Sequence, residues 1–250
     1  MSARTPRIAT RRRVLLTRSE EDCADWAARF AQHGAEAIAL PCIRAEEIST
    51  PAVRSQLAAA LPQSDWLVFT SRRGVEAFAA LSTAAPSPSC RIAVVGAATA
   101  GAAKTAVGRV DVVGAGGTAA ALAATLVDVG DLKRHPRVLL ALAENAGDTL
   151  ARALEGAGGR CTRVDVYRTV PAPPVGPRRP LSTLRVDNVV LASPSAVTGF
   201  AHVVDVDVDA GIYTIGPSTT AAARRAGLTV TAEAREPSFE GILEAMQWQS

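Results

Sequence analysis

The sequence predicts an α/β protein of two similar lobes, each a parallel sheet flanked by helices, with a cleft between the lobes. Three observations carry this expectation. The chain repeats itself: Val14-Leu15-Leu16 returns 124 positions on as Val138-Leu139-Leu140, Leu67–Ser71 returns 122 positions on as Val189–Ser193, and Ile92–Ala100 returns 120 positions on as Ile212–Thr220. A unit of that length is domain-sized and too long for a solenoid repeat. Short β-branched runs alternate with segments whose apolar residues recur every three or four positions, the pattern of parallel strands covered by helices. Glycines and hydroxyl residues gather just after the strand runs, where open parallel sheets collect their ligands.

In chain order, aliphatic or β-branched runs of strand length begin at Val14, Ala37, Trp66, Ile92 and Val110, and in the second repeat at Val138, Cys161, Asn188, Ile212 and Thr229. Helical spacing of apolar residues follows over 21–32, 74–81, 99–106 and 118–127, then over 147–155, 196–203, 219–225 and 240–248. Two proline-bearing stretches, 84–88 and 171–180, cannot continue a helix or central strand. The second reads as an inter-lobe linker or an exposed loop.

Composition narrows the function. Of 250 residues, 48% are hydrophobic and only 4% aromatic, so each half can bury a core built on Ala, Val and Leu. The net charge of +3 is spread among acidic residues apart from Arg11-Arg12-Arg13. A small anionic ligand suits this better than a nucleic-acid backbone, which calls for a dense basic face. Cys23, Cys42, Cys90 and Cys161 stand apart, as do His33, His135 and His202, so no metal or redox spacing exists and the thiols read as small buried hydrophobes in a reducing compartment. The apolar run after the basic start is only Val14-Leu15-Leu16, and no uninterrupted apolar stretch reaches membrane-spanning length. The expectation is a cytoplasmic protein with no membrane partner, and the absence of a sustained heptad or an apolar stripe suits a monomer.

The strand ends carry the chemistry. Thr70-Ser71-Arg72-Arg73-Gly74 is mirrored by Ser193-Pro194-Ser195, Gly96-Ala97-Ala98-Thr99 by Gly216-Pro217-Ser218-Thr219, and Thr118 by Ser238. Each taken alone is a helix N-cap. Several helix N-termini facing one cleft also form an anion site, and their repetition points to a ligand with many carboxylates or phosphates. Gly114-Ala115-Gly116-Gly117-Thr118-Ala119 fits a dinucleotide fingerprint, although no acidic strand end follows at the ribose distance, and the alternative is a plain Gly-rich loop before a capped helix. No nucleophile elbow or Ser/His/Asp set is present, so an enzyme built this way works by positioning. Tyr167 ends a strand run where the first repeat has Ile43. A polar residue breaking the symmetry is a functional candidate, and the other reading of it is a packed ring.

These residues resemble the uroporphyrinogen-III synthase family over almost the whole chain. The matching pieces are Val14–Arg18, Leu40-Pro41, Phe69–Ser71 with Gly74-Val75, Val95-Gly96 with Thr99-Ala100, Val166–Thr169, Ser193–Val197, and Ile215–Pro217 with Thr219. The resemblance implies a discontinuous first lobe (1–39 plus 172–250), a second lobe (47–163) inserted into it, and two antiparallel connector strands (40–46 and 164–171). It also implies a small-molecule substrate, hydroxymethylbilane, a linear tetrapyrrole with eight carboxylates. The implied reaction expels its terminal hydroxyl as water, closes the ring and inverts the last pyrrole through a spiro intermediate, with no cofactor. By the same resemblance Tyr167 is the catalytic residue assisting departure of the hydroxyl, since a phenol with an ordinary pKa of about 10 holds its proton at neutral pH. Thr17, Ser71, Thr99, Ser193, Ser195 and Thr219, with the N–H groups around Gly96 and Gly216, are then carboxylate contacts, joined by Arg18 and Arg72. The competing functional reading is a non-catalytic two-lobed module that binds or senses a small polycarboxylate.

Overall fold

The computed structural model describes residues 12–129, 132–174 and 176–248. The chain runs through β1 (Arg13–Leu16), α1 (Glu20–Gln32), β2 (Glu36–Ala39), β3 (Ile43–Glu47), α2 (Pro51–Ala60), β4 (Trp66–Phe69), α3 (Arg72–Leu81), β5 (Arg91–Val94), α4 (Ala97–Val107), β6 (Val112–Val113) and α5 (Ala119–Val129). It continues through β7 (Arg137–Ala143), α6 (Thr149–Gly156), β8 (Arg160–Pro171), β9 (Arg179–Pro180), β10 (Asn188–Leu191), α7 (Pro194–Val203), β11 (Val204–Asp205), β12 (Gly211–Thr214), α8 (Pro217–Arg225), β13 (Ala232–Glu233) and α9 (Phe239–Ala245).

Two compact units form, one from residues up to Arg44 together with those from Val170 onward, the other from Ala45–Thr169. The first unit holds a parallel sheet ordered β13-β12-β10-β1-β2. The second holds the order β3-β8-β7-β4-β5-β6, parallel from β8 to β6. Laid on each other by the sequence repeat, β13 answers β6, β12 answers β5, β10 answers β4, β1 answers β7 and β2 answers the start of β8. The two halves of the sequence have therefore exchanged their opening strand–helix–strand segments, and each unit is completed by residues from the other repeat.

Both faces of the central strands in the two large sheets are covered. In the second unit Leu67, Phe69, Leu139 and Val164 pack under Leu57 of α2, Val75 and Phe78 of α3, and Ala103 of α4. The opposite faces of the same strands, Trp66, Val68, Val138 and Leu140, pack under Leu122 and Leu126 of α5 and Leu150 and Leu154 of α6. The first unit repeats this, with α1 and α9 on one face and α7 and α8 on the other. Burial on both faces explains why these strands read as unbroken apolar runs instead of alternating ones.

Most elements begin within two residues of where the sequence places them, and the differences have physical causes. The strand expected from Thr229 is only Ala232–Glu233; Leu228 and Val230 instead pack as loop residues against the first unit's core. Helix α2 was not expected because Leu57 is the one residue it buries, leaving almost no apolar period to see. Its signal is the cap: Thr50 accepts from the Val53 N–H at 3.2 Å and Pro51 takes the first turn. The proline-rich segment 171–180 follows the crossing between units at 169–170; it holds the end of β8 and the short strand β9, and among the described residues between them 173–174 and 176–178 are exposed. Strands β3 and β8 are neighbours. Ile48 N–H bonds to the Val166 carbonyl and Ala172 N–H to the Cys42 carbonyl, an opposing order that makes the pair antiparallel.

Candidate active site

The candidate residues sit at the carboxyl ends of the parallel strands, and their geometry separates them into groups that the sequence could not distinguish. Four N-caps satisfy their own helices. Ser71 accepts from Gly74 N–H at 3.0 Å, Ser193 from Ala196 N–H at 3.0 Å, Ser238 from Gly241 N–H at 3.0 Å and Thr118 from Ala121 N–H at 3.1 Å. Helices α4 and α8 differ: their N-caps are Gly96 and Gly216, and no side chain caps either. Helix α4 opens on Ala97 and keeps its first N–H groups, whereas α8 opens on Pro217, which has none, and its Thr219 N–H bonds to the Gly216 carbonyl at 3.1 Å, leaving the Ser218 N–H at that terminus.

Beside each bare terminus stands a threonine, Thr99 in α4 and Thr219 in α8, 120 positions apart. They are 5% and 1% exposed, and among the described residues neither hydroxyl has a hydrogen-bond partner. Each unit thus carries one threonine hydroxyl without an internal partner beside a glycine-capped helix start. A third open donor lies at the end of β1. The Arg18 Nε is buried without a partner, while its guanidinium lies 4.5 Å from the Trp26 ring and 3.6 Å from the Asp22 carboxylate.

One expectation is corrected. Thr17 is fully buried and its hydroxyl donates to the Val190 carbonyl at 2.8 Å, so its proton serves the sheet and is not available to a carboxylate. At Gly114 a Cβ would meet the Leu122 Cα at 2.9 Å. That glycine exists so that the loop can lie on α5, and Thr118 caps the same helix. Arg72 begins α3 with its guanidinium 3.5 Å from Glu76, and Ser195 lies in the first turn of α7.

Tyr167 is placed by a β-bulge. Leu142 pairs with Asp165 and Ala143 with Tyr167, so Val166 is an extra residue in β8. Its carbonyl turns to the other neighbour and accepts from Ile48 N–H. One inserted residue shifts the two-residue alternation by one step. Val164, Val166 and Tyr167 consequently all face the same core, the one under α3. There the phenol, 8% exposed, lies 2.9 Å from the Ser71 hydroxyl. Gly74 makes room: a Cβ there would stand 3.1 Å from the Ala141 carbonyl oxygen, 3.3 Å from Ser71 Oγ and 3.8 Å from Tyr167 Cε1.

The four thiols are not rivals for the chemistry. Burial pushes Cys42 up to about 12 and Cys23, Cys90 and Cys161 up to about 11, which keeps them protonated and unreactive at neutral pH. A cavity of about 490 Å³ lined by Gln56, Gln63, Arg137, Arg160 and Thr162 opens at the opposite, amino end of β7 and β8, remote from Tyr167. Among the described residues no helix is long and apolar enough to cross a membrane.

Residues missed from the sequence are Gly74 as the space-maker, Val166 as the bulge, and a buried chain in the first unit. In that chain Thr214 and Thr220 hydroxyls lie 2.6 Å apart and Thr220 donates to Glu233. None of these carries a local signal in the sequence.

The family model described as uroporphyrinogen-III synthase HemD matches residues 24–244. The chloroplastic uroporphyrinogen-III synthase of Oryza sativa subsp. japonica is 28% identical over 245 residues, covering 93% of this chain and 79% of that protein. Among solved structures, a mutant uroporphyrinogen III synthase from Thermus thermophilus aligns at 20% identity with a TM-score of 0.52, covering 94% of this chain and 97% of its own. Uroporphyrinogen-III synthetase from Helicobacter pylori aligns at 16% identity with a TM-score of 0.54, covering 94% and 98%. These two likenesses establish the fold, and the family match, spanning most of the sequence, establishes the kinship: this chain belongs to the uroporphyrinogen-III synthase family.

Proposed function

We propose that the chain performs its family's reaction in haem biosynthesis, closing hydroxymethylbilane to uroporphyrinogen III with loss of water and inversion of ring D. One observation carries the reading: each unit offers a helix N-terminus capped by glycine, with no side-chain cap, and beside it a threonine whose hydroxyl is left to a ligand, Gly96 with Thr99 and Gly216 with Thr219. Such termini bind carboxylates through N–H donors and dipole without needing a basic surface. A substrate with eight carboxylates is matched by repeated grips of this kind, supplemented by Arg18 Nε and, at the helix starts, by Arg72, Ser193 and Ser195.

The chemistry asked of the protein is then orientation. The electron-rich pyrrole expels its own hydroxyl once that oxygen accepts a proton, and Tyr167 is the group placed to give it. Holding the chain folded with the substituted carbon of ring D presented to the new electrophile selects isomer III over simple closure. On this reading the protein acts as a cytoplasmic monomer on a dissolved small molecule, with neither nucleic acid nor membrane as partner.

The test is to mix the protein with hydroxymethylbilane and resolve the oxidised products by chromatography. Isomer III in excess is the expected result, and isomer I alone at the spontaneous rate would refute it. Tyr167→Phe is expected to lower turnover about a hundredfold or more, within the range for loss of a general acid, while product affinity changes little. Unchanged turnover assigns the ring to packing.

A further inference from the structure

Ser71 stands among the residues expected to grip a carboxylate, yet its hydrogen bonds leave it a different task. A serine hydroxyl offers one proton and two acceptor sites. One acceptor site is taken by Gly74 N–H at 3.0 Å, and the Tyr167 hydroxyl lies 2.9 Å away. Two hydroxyls that bond to each other hold one proton between them and keep one to give outward. A carboxylate can only accept, so it competes for that single outward proton. The duplicate in the first unit shows what the pairing adds. Ser193 caps α7 in the same way, at the same 3.0 Å, but by the repeat the residue answering Tyr167 is Ile43. The cap is common to both units and the phenol partner occurs in only one.

The geometry points to Ser71 as the positioning residue for Tyr167, donating its hydroxyl proton to the phenol oxygen so that the phenol proton is turned outward to the substrate. This rests on the synthase reading above. The donors then form a line: Gly74 N–H, at the positive end of α3, bonds to Ser71, and Ser71 bonds to Tyr167. Hydrogen bonds in such a chain strengthen one another, and the last oxygen is the one that gains negative charge as the reaction proceeds. In the step itself the Tyr167 proton passes to the departing hydroxyl, which leaves as water with the electron pair of the broken C–O bond. The phenolate left behind is stabilised by the Ser71 O–H, a charge-assisted bond stronger than the neutral one it replaces. The proton released when the closing pyrrole regains its aromaticity returns to the phenolate, so atoms and charge balance over the cycle.

A double-mutant cycle on turnover tests this with the full chain and hydroxymethylbilane. Ser71→Ala is expected to lower kcat about tenfold, a size suited to a hydrogen bond to a developing charge, with KM unchanged. In a Tyr167→Phe background the same substitution is expected to change kcat less than about twofold, because partners in one network do not act additively. Ser71→Thr, which keeps both the cap and the proton, restores turnover; Ser71→Asp, which keeps a cap acceptor but has no proton at neutral pH, does not. These last two variants carry the test if Ser71→Ala folds poorly, with helical content followed by circular dichroism in every case. Losses that multiply across the two backgrounds, a loss confined to KM, or full activity in Ser71→Asp would overturn the inference while leaving the synthase reading intact. A native chain that forms only isomer I would overturn both.

Discussion

Substituting Gly74 by alanine isolates the geometry on which the Tyr167 hydroxyl depends. The added methyl would sit 3.1 Å from the Ala141 carbonyl oxygen and 3.3 Å from Ser71 Oγ, whereas carbon–oxygen contacts are comfortable at about 3.3–3.6 Å. Ala141 belongs to β7, bonded on both sides to β4 and β8, so it cannot yield. The first turn of α3 must retreat by a few tenths of an ångström and take Ser71 with it, stretching the 2.9 Å bond to Tyr167. Weakening or losing a neutral hydrogen bond of this kind is worth about 0.5–1.5 kcal/mol, which slows turnover roughly two- to tenfold. Stability should fall by at most about 2 kcal/mol, since alanine gains about 0.8–1.0 kcal/mol of helix propensity over glycine against a packing cost of about 1–3 kcal/mol. The assay pairs a thermal melt with the rate of isomer III formation. Native turnover in a protein with an unchanged melting temperature would refute the reasoning, because it would mean that Ser71 and Tyr167 need not touch.

Two other outcomes follow from buried groups. Thr220→Val breaks the Thr214–Thr220–Glu233 chain and leaves the Thr214 hydroxyl unbonded in a fully buried site; a loss of about 1–3 kcal/mol is expected, read as a melting temperature lowered by about 2–4 °C per kcal/mol, and an unchanged melt would show that water replaces the hydroxyl. The thiols, raised by burial to about 11–12, should resist iodoacetamide at pH 8 in the folded protein and react after denaturation. Their sign is that of an acid whose proton is held more tightly when folded: the stability they contribute is complete below the ordinary thiol range and is lost as pH climbs through 9 toward 12. Rapid alkylation of the native chain would contradict that burial.

Much of the fold was legible because strands buried on both faces appear as apolar runs and because each is present twice. Tyr167 was legible as a break in symmetry, opposite Ile43. What could not be read was the meeting of Ser71 with Tyr167 across 96 positions, since no local pattern records which side of a strand a residue takes after a bulge. Nothing in Val164-Asp165-Val166-Tyr167 distinguishes a bulged strand from a regular one. The hydroxyls were overcounted for a related reason. Thr17 and Ser71 look alike beside Thr99 in sequence, and only the partners supplied by β10 and by β8 show that two of the three are already engaged.

The extra residue in β8 makes the side on which the phenol lies a matter of odd and even. Shortening that strand by one residue ahead of Tyr167 would keep every polar group in the chain and still deliver the ring to the α5–α6 layer, whereas removing two would send it back. Length here carries information that composition does not, so a relative could carry this tyrosine on the opposite face of its sheet through a single-codon deletion with the rest of its sequence unchanged.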